Sequence, residues 1–283
     1  MIARADPLRR RRSLLYVPAV NARAVDKARA LPCDVVVLDL EDAVGPGAKE
    51  QARVRAVEIV RSGAFGPRET AVRCNGLDTP WGAADLKALT EAGAQIAVLP
   101  KIAGAAEVLA AEAMCGGALR LWAMIETCRA VIDLPAIAGA AGASRLEALM
   151  LGTNDLAAEL RCQITPGREA LSGALQSAVM AARAFGLLAF DGTFNDLADL
   201  EGLESQCRQG AALGFDGKTL IHPAQIEAAN RAFSPSPERL AWARRVLAAY
   251  AAEPDAGVLK VDGRMTERLH LEEARRLMAL AQS

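Results

Sequence analysis

The chain has 283 residues, a formal net charge of −1, and a composition that is 52% hydrophobic but only 4% aromatic. That is enough apolar material for one large domain with an Ala, Leu, Val and Ile core, and the near-zero charge argues against nucleic acid as a partner. No run approaches the roughly 20 uncharged apolar residues of a membrane helix, and six scattered cysteines without a C-x-x-C pair argue against a zinc site and fit a reducing, cytoplasmic compartment.

Arg9 to Arg12 form a basic leader before an apolar run too short, and too soon followed by Pro18, to be a secretory signal. Ser13 to Val17 reads as the first strand, with a helix over Asn21–Leu31. Asp34–Leu40 is nearly all apolar, as expected of a strand buried on both faces. Strand and helix then alternate: helix Ala48–Ser62, strand Thr70–Cys74, helix Trp81–Ala92, strand Ile96–Leu99, helix Ala105–Met114, strand Leu119–Ile125, helix Ala130–Ala140. Strand Leu146–Leu151 leads through a long loop with Arg161, Thr165, Pro166 and Gly167 to a helix over Gly173–Phe185. Strand Leu187–Phe190, helix Asp199–Leu213, strand Thr219–Ile221 and helix Ala224–Phe233 complete eight units. Gly63, Gly93, Gly186 and Gly214 stand where helix C-caps belong.

Eight β/α units in this length, with no glycine-rich phosphate loop after the first strand, predict an α/β fold of the TIM (β/α)8 type rather than an open doubly wound sheet. The expected division is a barrel over 1–233 and a C-terminal extension over 234–283, which the resemblance given below makes a lid. The extension starts at Ser234-Pro235-Ser236-Pro237, continues as a helix over Glu238–Ala251, a short apolar run Val258–Val261, a tight turn Asp262-Gly263-Arg264-Met265, and a last helix over Thr266–Ala281.

Barrel strands end at one mouth, where barrel enzymes do chemistry. The predicted strands end in Asp39-Leu40-Glu41-Asp42, Arg73-Cys74-Asn75, Pro100-Lys101, Glu126-Thr127, Asn154-Asp155, Asp191-Gly192 and His222. Glu126 and Asp155, on adjacent strand tips, suit a hard cation such as Mg²⁺, which takes one or two carboxylates and keeps waters; helix caps or solvated loop acids are the alternative. The acids at 39, 41 and 42 repel one another unless a cation lies near, and Arg73 and Lys101 are on the next tips. A Glu41–Lys101 ion pair is one expectation and hydrogen bonding to the waters of a metal another; Asp42 alternatively caps the next helix. Arg73 offers a two-donor fork for a substrate carboxylate, with a structural salt bridge as the rival. Lys218 and His222 flank the eighth strand, and His270 lies in an amphipathic helix.

These residues carry a resemblance. Arg12-Ser13-Leu14-Leu15-Tyr16-Val17-Pro18, Asp39-Leu40-Glu41-Asp42-Ala43-Val44, Val72-Arg73-Cys74-Asn75-Gly76, Leu99-Pro100-Lys101, Ile125-Glu126-Thr127, Gly152-Thr153-Asn154-Asp155-Leu156, Gly217-Lys218-Thr219-Leu220-Ile221-His222-Pro223 and Val261-Asp262-Gly263-Arg264-Met265 occur in order. The chain resembles the citrate lyase β-subunit-like group of the HpcH/HpaI aldolase superfamily, which includes malyl-CoA and citramalyl-CoA lyases. The resemblance implies a Mg²⁺-dependent barrel, with Mn²⁺ as a substitute ion, that breaks a carbon–carbon bond in a 3-hydroxyacyl-CoA to give acetyl-CoA and pyruvate or glyoxylate. It places Glu126 and Asp155 on the metal, Glu126 also beside the substrate, and Arg73 on the keto-acid carboxylate. Glu41 and Lys101 become a catalytic ion pair, and Asp262 an acid–base on a lid that serves a neighbouring subunit of a homotrimer or hexamer. Lys218 and His222 fall near the CoA entrance. Two departures, Pro18-Ala19-Val20-Asn21 in place of Pro-Gly-Asn and Cys128 after Thr127, bear on acyl-CoA preference. The alternatives are a citryl-CoA lyase β subunit working on a carrier protein, an acyl-CoA thioesterase, and a non-catalytic barrel subunit.

Overall fold

The computed structural model describes residues 9–282; the first eight residues of the predicted barrel segment and the last residue of the extension lie outside the described residues. The elements are β1 Ser13–Pro18, α1 Ala22–Ala28, β2 Val35–Asp39, α2 Lys49–Arg61, β3 Glu69–Arg73, α3 Gly82–Ala92, β4 Ile96–Leu99, α4 Ala105–Cys115 and β5 Arg120–Ile125. They continue with α5 Cys128–Ile132, α6 Leu134–Gly139, β6 Leu146–Leu151, α7 Thr153–Leu160, α8 Ser172–Phe185, β7 Leu188–Asp191, α9 Leu200–Leu213, β8 Gly217–Leu220 and α10 Ile226–Ala232. The C-terminal elements are α11 Pro237–Ala252, β9 Val258–Val261, β10 Arg264–Glu267 and α12 Arg268–Gln282.

β1 to β8 are all parallel and close into a barrel, with β1 pairing β2 on one side and β8 on the other. Gly217 makes the closing seam: a Cβ there would sit 1.9 Å from the Arg11 carbonyl oxygen. The predicted strands are all present. Three details differ. The helix expected over 130–140 is two, α5 and α6, because Pro135 has no N–H to continue the ladder. The stretch after β6 is not all loop, since Thr153–Leu160 is helical and ends on Arg161 in the left-handed conformation. The turn at 262 joins two strands of a hairpin, so the last helix starts at Arg268 rather than 266.

Alternation along the strands sorts side chains between barrel interior and helix layer. Leu14, Val35, Val37, Ala71, Ile96, Val98, Trp122, Met124, Ala148, Met150, Leu188 and Phe190 form the interior cluster. Leu15, Val36, Leu38, Val72, Ala97, Leu121, Ala123, Leu149 and Ala189 face the helices and join the larger core. Below the interior cluster lies a layer of ions. Arg11 bonds both Glu69 oxygens, and Arg120 bonds Glu69 and Glu147 at 2.7 and 3.1 Å. The Trp122 indole N–H donates to Glu147 at 2.8 Å. α11, α12 and the hairpin bury a cluster of their own, Ala243, Val246, Tyr250, Val261, Leu271, Ala274 and Leu277. Arg10 ties α12 back to the barrel by donating to the carbonyls of Leu280 and Ala281. No helix among the described residues is long and apolar enough to cross a membrane, and all six cysteines are free thiols.

Candidate active site

Two residues beyond Val37, Ala71 and Met124 stand Asp39, Arg73 and Glu126. The same alternation that fills the interior with apolar groups therefore aims these three inward at the mouth. They line a cavity of about 370 Å³ together with Tyr16, Asp42, Met124, Leu151, Asn154, Asp155 and Thr219. Its charged wall comprises four carboxylates, Asp39, Asp42, Glu126 and Asp155, against one guanidinium, Arg73.

Arg73 is the hub. Its Nε and Nη2 donate to the two oxygens of Asp39 at 2.8 and 2.7 Å. Its Nη1 donates to Asp42 at 3.0 Å and lies 2.9 Å from Glu41 Oε2. The ring of Tyr16 stacks beneath the guanidinium at 4.8 Å. Burial pushes the Asp39 carboxyl up, but Arg73 and the backbone N–H groups of Glu41 and Ala43 outweigh it and hold it below the usual range. Arg73 is buried yet held charged by Asp39 and Glu41. The two-donor fork expected for a substrate carboxylate is thus taken by Asp39, as the salt-bridge reading has it, while Arg73 also stands on the cavity wall.

Lys101 contributes twice. Its ammonium pairs with Glu41 at 3.0 Å, as the sequence predicts. Its backbone N–H donates to Glu126 Oε1 at 2.6 Å, a contact made possible by a left-handed backbone, φ 52°. Burial raises the Glu41 carboxyl, and Asp42 adds to this against Arg73 and Lys101. Glu41 Oε2 is buried without a hydrogen bond. Lys49, which the sequence reading passed over, holds this turn from behind by donating to the carbonyls of Leu40 and Glu41 at 3.0 and 2.7 Å.

Glu126 is 1% exposed. Burial pushes its carboxyl up to about 7; the Lys101 N–H opposes the shift, and Glu41 and Asp155 add to it. Gly152 makes room for this side chain, since a Cβ there would lie 2.3 Å from Glu126 Oε2. Asp155 is in the first turn of α7 and opens on the same cavity, so neither of the bland readings describes it fully. Among the described residues no group of three or more His, Cys, Asp or Glu forms a ready cage. Two carboxylates, one of them desolvated and short of compensating charge, instead fit a hard divalent ion that completes its shell with water and substrate oxygens.

Other predicted residues lie elsewhere. Asp262 is at the β9–β10 turn, φ 50°, with one oxygen bonded to Nε and Nη2 of Arg245 at 2.8 Å each; it does not line the cavity of its own chain. Lys218 is not at an entrance. It is fully buried behind the strands, 3.0 Å from Asp191 and 2.7 Å from Gln206, because its position on β8 faces the helix layer. Arg168 shares Asp191 at 2.6 Å and thereby pins the loop after α7. His222 and His270 cap helices, each accepting a backbone N–H on Nδ1. Ala19 is not left-handed, so the first loop needs no glycine there. Cys128 opens α5 with its N–H on Glu159 at 2.9 Å.

The family model for HpcH/HpaI aldolase/citrate lyase matches residues 12–223. A (3S)-malyl-CoA thioesterase of Cereibacter sphaeroides is 44% identical over 96% of this chain and 95% of its own. An L-malyl-CoA/beta-methylmalyl-CoA lyase of the same species is 33% identical over 95% and 93%. The structure of protein CitE from Mycobacterium tuberculosis in complex with magnesium, acetoacetate and coenzyme A is 33% identical, with a TM-score of 0.77 over 96% of this chain and 98% of that one. The match of the family model across the whole barrel, together with these relatives, shows that the chain belongs to the HpcH/HpaI aldolase/citrate lyase family.

Proposed function

We propose that this chain is a Mg²⁺-dependent enzyme of 3-hydroxyacyl-CoA thioesters that cleaves the C2–C3 bond of malyl-CoA, giving acetyl-CoA and glyoxylate. The observation that carries this reading is the convergence of Glu126, Asp155 and Arg73 on one cavity. Malyl-CoA is preferred to citramalyl-CoA because the thioesterase and lyase relatives are both named for it, and the magnesium because of the donor set and of the CitE neighbour's complex.

Glu126 and Asp155 would hold the ion, which when bound would supply Lewis acidity to the substrate's oxygens. Arg73 receives the carboxylate, with its plane fixed by Asp39 and by stacking on Tyr16. The Lys101 N–H orients Glu126 through Oε1. Lys101's ammonium, held charged by Glu41 against burial, acts through charge and forms no covalent bond. As the C2–C3 bond breaks, its electron pair passes to the acetyl-CoA carbon, the hydroxyl proton passes to water and the hydroxyl oxygen becomes the glyoxylate carbonyl; the acetyl-CoA carbon takes a proton from Asp262 of a neighbouring copy, which has taken one from water. Residues 234–283 act as the lid that carries Asp262, in a homotrimer or hexamer.

Hydrolysis of the thioester is a second reading, favoured by the higher identity of the thioesterase relative. It uses the same grip on the acyl group, with water attacking the thioester carbonyl. One assay separates the two: purified protein is given (3S)-malyl-CoA with Mg²⁺ or with EDTA, and glyoxylate and free CoA thiol are measured together. Metal-dependent glyoxylate without thiol is the expected result. Thiol with malate and no glyoxylate replaces cleavage by hydrolysis, and absence of both products overturns the assignment.

A further inference from the structure

We propose that the Asp42 carboxylate holds the place of the substrate's carboxylate on Arg73 and is exchanged for it on binding; this rests on the role of Arg73 proposed above. Each nitrogen of Arg73 already faces a carboxylate. Its Nε–Nη2 edge is forked by Asp39, which is 1% exposed and anchored by the N–H groups of Glu41 and Ala43. Moving Asp39 would break four hydrogen bonds and leave a buried charge unpaired, so that edge is permanently engaged. An incoming carboxylate must therefore come to the opposite end of the guanidinium, where Nη1 and the second N–H of Nη2 point.

Two acids already occupy Nη1. Glu41 is buried, and its other oxygen is bound by Lys101 at 3.0 Å. Asp42 differs in each respect. Its side chain is 54% exposed, it lines the cavity, and its remaining charge contact is a loose 3.9 Å approach to Lys101. Water can take over the half-exposed Asp42 carboxylate when it swings out, and Arg73 keeps Asp39 and Glu41 beside it. The departure of Asp42 frees a donor that a substrate carboxylate satisfies in the same geometry, and it removes one negative charge from the path of an anion. Asp42 thus keeps Arg73 fully paired between turnovers and sets how readily carboxylates enter.

The test is calorimetric binding of glyoxylate at saturating Mg²⁺ to the wild-type chain, Asp42→Asn and Asp42→Ala, with a crystal structure of the wild-type ternary complex. Exchange predicts a glyoxylate oxygen on Arg73 Nη1, Asp42 displaced beyond 4 Å, and Asp39 unmoved. It also predicts tighter binding in Asp42→Ala by roughly fivefold, because no carboxylate then competes for Nη1. Asp42→Asn, which keeps a neutral acceptor, should fall between. A complex with Asp42 still on Nη1, equal affinities, or no glyoxylate binding by any of the three proteins overturns the exchange. Exchange in the crystal with no product from malyl-CoA upholds it and removes the lyase reading instead.

Discussion

The chemistry of the mouth depends on a carboxylate kept in a place that disfavours its charge. Glu126 has its carboxyl pushed from 4.5 to about 7, chiefly by burial. A carboxyl raised on folding makes the folded state the better proton binder, so Glu126 takes stability away as pH climbs from 4.5 to about 7, and the loss stays in full above that. Glu126→Gln should therefore raise the thermal midpoint at pH 8 in EDTA by about 2–4 °C, the gain closing near pH 5, while Mg²⁺-dependent turnover disappears. An equal or lower midpoint at pH 8 would mean that the site does not disfavour the charge. Gly152→Ala should cost about 100-fold in kcat, because the new methyl would lie 2.4 Å from Glu126 Cβ and so push the whole residue, backbone included, off its place; wild-type kcat would show that Glu126's position is unimportant. At this scale the sequence disclosed one pairing, since Glu41 and Lys101 meet as expected. It hid the use of Lys101's backbone N–H, because nothing in a Pro100-Lys101 step shows a left-handed φ, and it hid how fully Arg73 is shared, because three acids in one turn look equivalent in one dimension.

The strands place these groups by parity. The apolar runs of β2, β3 and β5 looked uniform because both faces of a barrel strand are buried, so the two-residue period shows only where polar residues begin and end the run. Read from both ends, Glu69 and Arg73 on β3, and Arg120 on β5 with Glu126 just past its end, share the interior face, one ion layer below the apolar cluster and one above. Lys218 was misplaced for the same reason: one residue of register separates mouth from helix layer. The lower layer is a stability device. Burial pushes Glu69 up, but bonds from Arg11 and Arg120 outweigh it and hold the carboxyl low. Its contribution is therefore present above the unfolded value near 4.5 and is lost as pH falls through the lowered folded value. Arg11→Met should lower the free energy of unfolding by about 3 kcal/mol in urea at pH 7, as expected when one partner of a buried pair is removed, and should blunt the acid dependence. A variant as stable as the parent would contradict a paired floor.

For the whole molecule, the eight-unit barrel was legible from length and alternation, and the second strand of the hairpin was not, since Arg264–Glu267 carries little apolar signal. The hairpin's Asp262 is bound to Arg245 and off the cavity of its own chain, which agrees with a lid that works on another copy. Mixing Asp262→Ala with Glu126→Ala, each inactive alone, should restore part of the activity after refolding together; no recovery would contradict shared sites. The central claim, that Glu126 and Asp155 form a metal site serving Arg73, is tested most directly by calorimetric titration of Mg²⁺ in the presence of glyoxylate into the wild-type chain, Glu126→Ala and Asp155→Ala. The account predicts one saturable site per chain in the wild type and its loss in both variants. Binding of undiminished affinity in either variant would contradict it.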